Sequence, residues 1–355
     1  MRFEHETLAQ RVCFATGEAR ATVRAEVERL GGARVMVISS AYEAHLAKAV
    51  TSDVPVVLHH DEVVMHVPVD TAERARAAAA SHDVDLVVSV GGGSTTGLAK
   101  AVALTTGLPI VAVPTTYAGS EATSVWGLTE GARKATGVDA RVLPRTIVYD
   151  AELTLSLPVA MSVASGLNAL AHCGDSMWAP RTDPVDQALA GEGIRALDAG
   201  LPAVVDDPSG HAGREQMLYG AYLSAVAFSS AGSGLHHKIC HVLGGRYGLP
   251  HAETHAVVLP YVLAFNAPAA PSAERRIAEA FGAATALEGL QRLRRAVDAP
   301  TALCDHGFAE SDVDDAVAAI LEAAPPSNPR PVTAEGVRRL LRAAWEGADP
   351  SEAAS

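Results

Sequence analysis

The chain has 355 residues, of which 48% are hydrophobic, and a formal net charge of −13. This length and composition suffice for two domains with apolar cores and exclude a disordered chain. No apolar run reaches the roughly 20 residues of a membrane-spanning helix, and the absence of a basic stripe argues against nucleic-acid binding. The charged start MRFEHETLAQRV lacks the apolar segment of a secretory signal, so we expect a cytoplasmic protein.

Short apolar runs alternate with helical segments in the first part of the chain. The composition predicts strands at 34–40, 54–60, 108–116 and 145–150, a helix at 71–82, and a strand, turn and helix within 85–107. Buried strands separated by helices are typical of a parallel sheet covered on both faces. We therefore predict an α/β domain over residues 1–157.

The residue composition changes after about Leu157, and Ala- and Leu-rich segments dominate from there to residue 355. This pattern predicts an all-helical domain over residues 158–355, with a hinge near 151–160. A ligand is expected in the cleft between the two domains. Four scattered cysteines without CxxC spacing are expected to be buried apolar side chains: Cys13, Cys173, Cys240 and Cys304.

A glycine-rich turn follows a predicted strand and opens a helix at Gly91, Gly92, Gly93 and Ser94. Glycines allow a phosphate to approach the backbone, and the helix N-terminus offers free N–H groups to it. Thr115 and Thr116 follow the next strand and could add hydroxyls at the same sheet edge. The alternative is a tight turn without a ligand, and the GxGxxG spacing of the commonest dinucleotide fold is absent.

Ser40 ends the first predicted strand, where dinucleotide folds often place an acidic residue on the ribose 2′-hydroxyl. A serine carries no charge to repel a 2′-phosphate. The sequence thus suggests a dinucleotide-binding domain that uses NADH or NADPH.

Five of the 14 histidines fall within 236–255. His237 and His241 are four residues apart and share a helix face, as do Asn168 and His172 upstream, and His251 follows a Gly-Leu-Pro turn. Such a cluster is typical of a metal site, or of a site that stabilises an anion and donates a proton; the third alternative is a set of unrelated surface histidines. A neutral amide at Asn168 supplies no charge to a divalent ion, which weakens the metal interpretation.

Several segments resemble maleylacetate reductases of the iron-containing alcohol dehydrogenase and glycerol dehydrogenase superfamily. They are GGGSTTGLAKAVAL, PIVAVPTTYAGSEATSVWGLTE, RKATGVDARVLPRTIVYDAELTLSLP, GLNALAHC and GLHHKICHVLGGRYGLPHAETHAVVLP, within a likeness that covers nearly the whole chain. The resemblance implies an α/β dinucleotide domain followed by a helical domain, an architecture like that of dehydroquinate synthase, and a homodimer. Two departures are GLAK, where glycine usually precedes the lysine, and SEATSVWG, where valine and proline are more typical.

The resemblance also assigns residues to roles. Four positions match the metal ligands of metal-dependent members: Asn168, His172, His237 and His251. The first of these ligands is an aspartate in the metal-dependent members. An asparagine there is similar to maleylacetate reductases, which work without a metal. His241 matches a histidine near the nicotinamide. The residues expected to contact the dinucleotide are Gly91, Gly92, Gly93, Ser94, Thr115, Thr116 and Lys134.

The implied reaction in aromatic-compound degradation is hydride transfer to the double bond of 2-maleylacetate, which gives 3-oxoadipate. We expect the histidines at 172, 237, 241 and 251 to stabilise the enolate, with His241 or His251 as the proton donor and no metal. If a metal binds, His172, His237 and His251 are its expected ligands. Asn168, Tyr117, Lys238 and Arg246 are candidates for binding the dicarboxylate.

Two alternatives stay open. One is a metal-dependent alcohol dehydrogenase. The other is a dinucleotide-binding protein without catalysis, or a family member redirected to a biosynthetic, non-redox step, for which the SEATSVWG departure leaves room.

Overall fold

The computed structural model describes residues 2–130 and 133–351, with the side chains of all of these except 133 and 134. The chain divides into two compact units. The α/β unit is Thr7–Leu157, and the helical unit is Pro158–Ser355 together with Met1–Glu6.

A six-stranded parallel sheet forms the centre of the α/β unit, in the order β1-β8-β5-β4-β2-β3. Its strands are β1 Arg11–Phe14, β2 Val35–Ile38, β3 Val56–His60, β4 Leu86–Gly91, β5 Ile110–Pro114 and β8 Thr146–Tyr149. The predicted strands are thereby confirmed. Three strands were not anticipated, because β1 is a short edge strand and β6 Val125–Glu130 and β7 Arg133–Val138 form a separate antiparallel hairpin.

Both faces of the sheet are covered. Val35 and Val37 of β2 pack with one apolar cluster, whereas Met36 and Ile38 pack with another on the opposite face. The covering helices are α1 Ala19–Leu30, α2 Ala44–Val50, α3 Val69–Ser81 and α4 Gly93–Thr106. Burial on both sides explains why the strand sequences are continuously apolar rather than alternating.

The helical unit confirms the second part of the predicted fold class. Its helices are α5 Val159–Ser176, α6 Pro184–Asp206, α7 His211–Ala231, α8 Leu235–Tyr247, α9 His251–Asn266, α10 Pro271–Phe281, α11 Ala286–Ala296, α12 Val313–Ala323 and α13 Ala334–Glu346. None of the described helices is long and apolar enough to cross a membrane.

Local sequence explains where several of these helices begin. The Asp183 carboxylate caps α6 by accepting from the backbone N–H groups of Val185 and Asp186, and Pro184 occupies the first turn, where it sacrifices no hydrogen bond. The apolar faces of α8, α9, α12 and α13 then share one core that includes Leu243, Val258 and Leu340. This core packs α8 against α9, the two helices that carry His237 and His251.

The cysteine prediction was right for two of the four residues. Cys173 and Cys240 are buried, whereas Cys13 is half-buried and Cys304 is exposed, and all four are free thiols. Cys304 lies in a short 3-10 turn outside the helical core, so its exposure follows from its place in a connection.

Candidate active site

The glycine turn lies at the carboxyl end of β4, beside the end of β5. Gly91 pairs with Pro114 across the two strands, and the Thr115 N–H donates to the Gly91 carbonyl. Helix α4 begins at Gly93, and its N-cap residue Gly92 offers no side-chain cap. The first N–H groups of α4 are therefore free to bind an anion, and the threonines lie at the same edge, as predicted.

Gly91 cannot carry a side chain without displacing its neighbours. Its φ is 152°, and a Cβ atom there would lie 2.5 Å from Thr95 Oγ1 and 2.7 Å from Glu43 Oε2. Gly92 is similarly close to Thr116, whose Cγ2 would be 2.9 Å from an added Cβ. The turn thus brings its backbone against the hydroxyls that follow β5.

We expect Gly91→Ala to raise the KM for the dinucleotide at least about tenfold and to destabilise the fold by about 1–3 kcal/mol, the usual cost of overpacking. Dinucleotide titration and thermal unfolding measure the two effects. Gly107→Ala is the control, because Gly107 also has a positive φ but a Cβ there meets nothing within 4 Å. Equal dinucleotide binding in both variants would contradict this role of Gly91.

Ser40 lies at the same edge, just beyond β2, but its surroundings differ from the expectation. Its hydroxyl donates to Oε2 of Glu43 at 2.8 Å, and the Thr115 hydroxyl donates to Oε1 of the same carboxylate at 2.5 Å. Ser40 itself is uncharged, as expected, but the Glu43 carboxylate lies beside it. The sequence did not reveal Glu43 as a site residue, because it lies in the turn between β2 and α2. It approaches Thr115 only because β2 and β5 lie on either side of β4 in the sheet.

Two predicted site residues of the α/β unit remain, Tyr117 and Lys134. Tyr117 is completely buried, so it belongs to the core of the unit rather than to an open surface. The side chain of Lys134 lies outside the described part of the structure. Neither position adds support to the predicted role.

Lys100, in the unusual GLAK segment, has a structural role. Its buried ammonium donates to the carbonyls of Thr123 and Val125 and to the Thr123 hydroxyl, at 2.7–3.0 Å. Burial lowers the pKa of Lys100 to about 7, yet three oxygen acceptors favour the charged form. These hydrogen bonds tie the backbone of the SEATSVWG segment, residues 120–127, to helix α4.

Three helices bring the histidines of the helical unit together. Helix α5 carries Asn168 and His172, α8 carries His237 and His241 in its first two turns, and α9 begins at His251. The i, i+4 spacing predicted from the sequence is helical in both cases, so each pair shares one face.

The imidazole rings form a continuous cluster. The ring of His172 stacks on that of His237, with centroids 4.9 Å apart, and His241 lies edge-on to His237 at 6.0 Å. His251 joins through His255, whose ring is 4.4 Å from His251 and 4.8 Å from His237. The structure therefore brings the four predicted catalytic histidines together.

Asp175 orients the central histidine. Its buried carboxylate accepts from the backbone N–H groups of Gly234, His236 and His237, and its Oδ2 lies 2.7 Å from Nδ1 of His237. The carboxylate already accepts three N–H groups, so Nδ1 of His237 is best assigned as the donor in this contact. The neutral imidazole then presents the Nε2 lone pair on the opposite side.

Burial controls the charge of this cluster. It lowers the pKa of His172 and of His236 to about 3, and the pKa values of His237 and His255 lie well below 6.5 for the same reason, with smaller contributions from neighbouring imidazoles. Burial also raises the pKa of Asp175 to about 7, against the opposing effect of its backbone donors. At neutral pH the inner imidazoles are uncharged when nothing is bound.

Several polar atoms of the cluster lack a partner among the described residues. Oδ1 of Asn168, Nδ1 of His172 and Nε2 of His237 are all buried and make no hydrogen bond there. Because unpaired buried polar atoms are costly, these three mark where a ligand binds. They are also chemically suitable donors for a divalent metal, although none of the three is anionic.

The two candidate cations behave differently. Lys238 is half-buried on α8, next to His237. Arg246 lies nine residues beyond His237, in the last turn of α8, about 13 Å along the helix. Its guanidinium binds the Asp315 carboxylate at 2.6 Å. The structure therefore does not bring Arg246 to the histidine cluster, because α12 supplies its partner.

Two inner histidines were not singled out from the sequence. Nε2 of His236 lies 2.9 Å from Nδ1 of His255, and both residues are completely buried. Nitrogens of His236, His237 and His255 lie within 4.8 Å of one another, so the close imidazole group differs from the predicted ligand set of His172, His237 and His251. The sequence does show His255 four residues after His251, but this spacing did not lead to His255 being assigned to the site.

Comparison with protein families identifies both units. Residues 9–151 match the iron-containing alcohol dehydrogenase family, and residues 162–345 match the C-terminal domain of the Fe-containing alcohol dehydrogenase family. Maleylacetate reductases from Sphingobium indicum and Pseudomonas sp. strain P51 are 44% and 43% identical over 352 residues, which is 99% of this chain and 99% of each relative.

Solved structures agree with these matches. The iron-containing alcohol dehydrogenase from Corynebacterium glutamicum is 63% identical, with a TM-score of 0.98 and coverage of 99% of both chains. The maleylacetate reductase from Agrobacterium tumefaciens is 40% identical, with a TM-score of 0.93, covering 98% of this chain and 99% of its own. The resemblance to maleylacetate reductases is confirmed, and the chain belongs to the iron-containing alcohol dehydrogenase family.

Proposed function

We propose that the protein is an NADH-dependent maleylacetate reductase that reduces the double bond of 2-maleylacetate to give 3-oxoadipate. The observation that carries this proposal is the Asp175–His237 pair, together with the buried neutral Asn168, which lies seven residues before Asp175 on the same helix. It provides an oriented imidazole without an anionic metal ligand at position 168. Relatives that are 43–44% identical over 352 residues bear the maleylacetate reductase name.

The reduced nicotinamide supplies a hydride, and the protein must stabilise the negative charge that develops on the ketone oxygen. The substrate is a dianion, so its binding raises the pKa of the nearby His237. Once protonated, His237 donates from Nε2 to the ketone oxygen while Nδ1 remains bound to Asp175. A preorganised donor of this kind typically contributes about 3–4 kcal/mol to transition-state stabilisation.

The proton that completes the reaction at carbon comes from the outer part of the cluster. His241 and His251 are exposed in the helical unit, unlike His172 and His237, and can exchange protons with water. Helix spacing places His241 on the same face as His237. We therefore assign His241 or His251 as general acid, a role typically worth about 10²–10⁴-fold in rate. Lys238 remains the candidate for pairing with a substrate carboxylate.

We propose that catalysis needs no metal. Asn168, His172 and His237 could hold a divalent ion, which would act as a Lewis acid on the ketone oxygen. Because these donors could bind a metal, a metal-dependent alcohol dehydrogenase is the second candidate function. With Asn168 neutral, however, the ion's charge is not balanced by any of the three. Protonated His237 next to Asp175 already supplies a balanced positive charge.

The direct test follows NADH absorbance with 2-maleylacetate after the protein has been stripped of metal. We expect kcat within about twofold of the untreated enzyme, and no gain from added Fe²⁺ or Zn²⁺. Loss of activity on chelation, with recovery on adding metal, would favour the alcohol dehydrogenase. Dinucleotide binding without turnover of any added substrate would favour a protein without this catalytic function.

We further propose that NADH is preferred to NADPH. The Glu43 carboxylate is held by Ser40 and Thr115 at the edge where the ribose of a dinucleotide is expected. A 2′-phosphate there would be repelled. We expect Glu43→Gln to lower the NADH-to-NADPH ratio of kcat/KM about tenfold or more, through improved NADPH use. Glu28→Gln on α1 is the control, and an unchanged ratio in Glu43→Gln would contradict this role.

A cytoplasmic homodimer completes the proposal. The edge strand β1 leaves one side of the sheet unpaired within the described chain, and Phe14 at its end is 42% exposed. Light scattering of the purified protein measures the oligomeric state directly.

A further inference from the structure

Three chemically reactive side chains meet at the start of α6, on elements that carry none of the residues assigned to catalysis. Asp183 caps this helix with Oδ1, and its Oδ2 lies 2.7 Å from Nδ1 of His5. Asp186, three residues later, places its Oδ1 3.8 Å from the same nitrogen. One ligand atom from each residue therefore lies within 4.8 Å of the others.

The contact between His5 and the two aspartates joins parts of the chain that are far apart in the sequence. His5 belongs to an N-terminal segment without regular secondary structure, 178 residues before Asp183. Asp183 is the N-cap residue of α6 and Asp186 lies in its first turn, so both carboxylates belong to the start of this helix. Only the packing of the N-terminal segment against α6 adds the imidazole.

Asp186 is a buried carboxylate whose negative charge is not balanced by the groups around it. Its side chain is completely buried, and neither carboxylate oxygen makes a hydrogen bond with a described residue. Burial is the main cause of the raised pKa of Asp186, and the neighbouring Asp183 carboxylate adds to it. Nε2 of His5 is also buried without a hydrogen-bond partner there. Burying a carboxylate in this way is unfavourable unless a cation compensates it.

The number and type of donors match a transition-metal ion. Two carboxylates and one neutral imidazole carry a net charge of −2, which a divalent ion balances. An imidazole nitrogen with carboxylate oxygens suits Zn²⁺, whose bonds to such ligands are about 2.0–2.2 Å long, whereas Mg²⁺ and Ca²⁺ prefer oxygen alone. The separations of 2.7 and 3.8 Å bracket the spacing of about 3.3 Å that tetrahedral bonds of this length require.

We propose that His5, Asp183 and Asp186 form a structural site for a divalent transition-metal ion, with Zn²⁺ as its best-suited occupant. The ion ties the N-terminal segment to the first turn of α6. The site is separate from the histidine cluster, which is built from α5, α8 and α9, and it plays no part in the reaction. A structural ion of this kind stabilises the folded chain by mass action.

The test measures bound zinc after metal-stripped protein is dialysed against Zn²⁺ and then against buffer. His5→Gln removes the imidazole from a segment outside the helices, and His211→Gln is the matched control, because His211 is exposed at the start of α7. We expect His5→Gln to bind one equivalent less than the wild type, with kcat within about twofold. His211→Gln should bind as much as the wild type. Equal zinc in His5→Gln and wild type would overturn the proposal.

A second measurement separates this site from the catalytic cluster. The double variant His172→Gln/His237→Gln should retain the equivalent that depends on His5, whatever else it loses. Amide hydrogen exchange of residues 2–10 should slow at least about tenfold on adding Zn²⁺ to the wild type, and not in His5→Gln. Zinc-independent exchange of these residues in the wild type would overturn the proposal.

Discussion

Replacement of His237 by alanine is expected to lower kcat by about 10³-fold. The variant loses the donor to the ketone oxygen, and such a donor is typically worth 10²–10³ in rate, to which any lost proton transfer adds. It also leaves the Asp175 carboxylate without its imidazole partner. Steady-state kinetics with NADH and 2-maleylacetate measure the effect.

His251→Ala should also lose activity, by about 10²–10⁴-fold if His251 is the general acid. His211→Ala is the control, since His211 is exposed and outside the cluster. Circular dichroism should show that all three variants keep their helices. Near-wild-type turnover in both His237→Ala and His251→Ala would reject the assignment of this cluster as the active site.

Asp175→Asn is expected to lower kcat about 10²-fold or more, because the same change behind the catalytic histidine of a Ser-His-Asp triad costs about 10⁴ in kcat. The amide cannot balance the charge of a protonated His237, and it can present its N–H₂ group to Nδ1 and so favour the wrong tautomer. The KM for NADH should stay within about twofold, because the glycine turn is built from residues of the α/β unit alone. Kinetic parameters over a pH series measure both.

The pH profile distinguishes orientation from simple loss of structure. In the wild type, substrate-bound His237 must be protonated, so kcat falls as pH rises through its pKa in the complex. Without the Asp175 charge that pKa is lower, and the fall should move to lower pH in Asp175→Asn. Asp198→Asn is the control, because the half-buried Asp198 pairs with Arg292 on α11, away from the histidines. A profile with an unchanged midpoint would contradict the role of Asp175.

The sequence itself determined the elements that carry the two candidate sites. Apolar strand runs placed the glycine turn and Thr115 at the carboxyl ends of adjacent strands, since parallel strands end at one edge of a sheet. Helical periodicity likewise placed Asn168 with His172 and His237 with His241, because residues four apart share a helix face. Such predictions succeed where the geometry is set within one element.

The tertiary structure decided which of these side chains have partners. Asp175 meets His237 across 62 residues, Glu43 meets Thr115 across 72, and His5 meets Asp183 across 178. Arg246, close to the histidines in sequence, is instead paired with Asp315 of another helix. Contacts between elements depend on how helices and strands pack, and periodicity along a single element carries no information about that packing. Burial, which sets the charge of the histidines, is a property of the same packing.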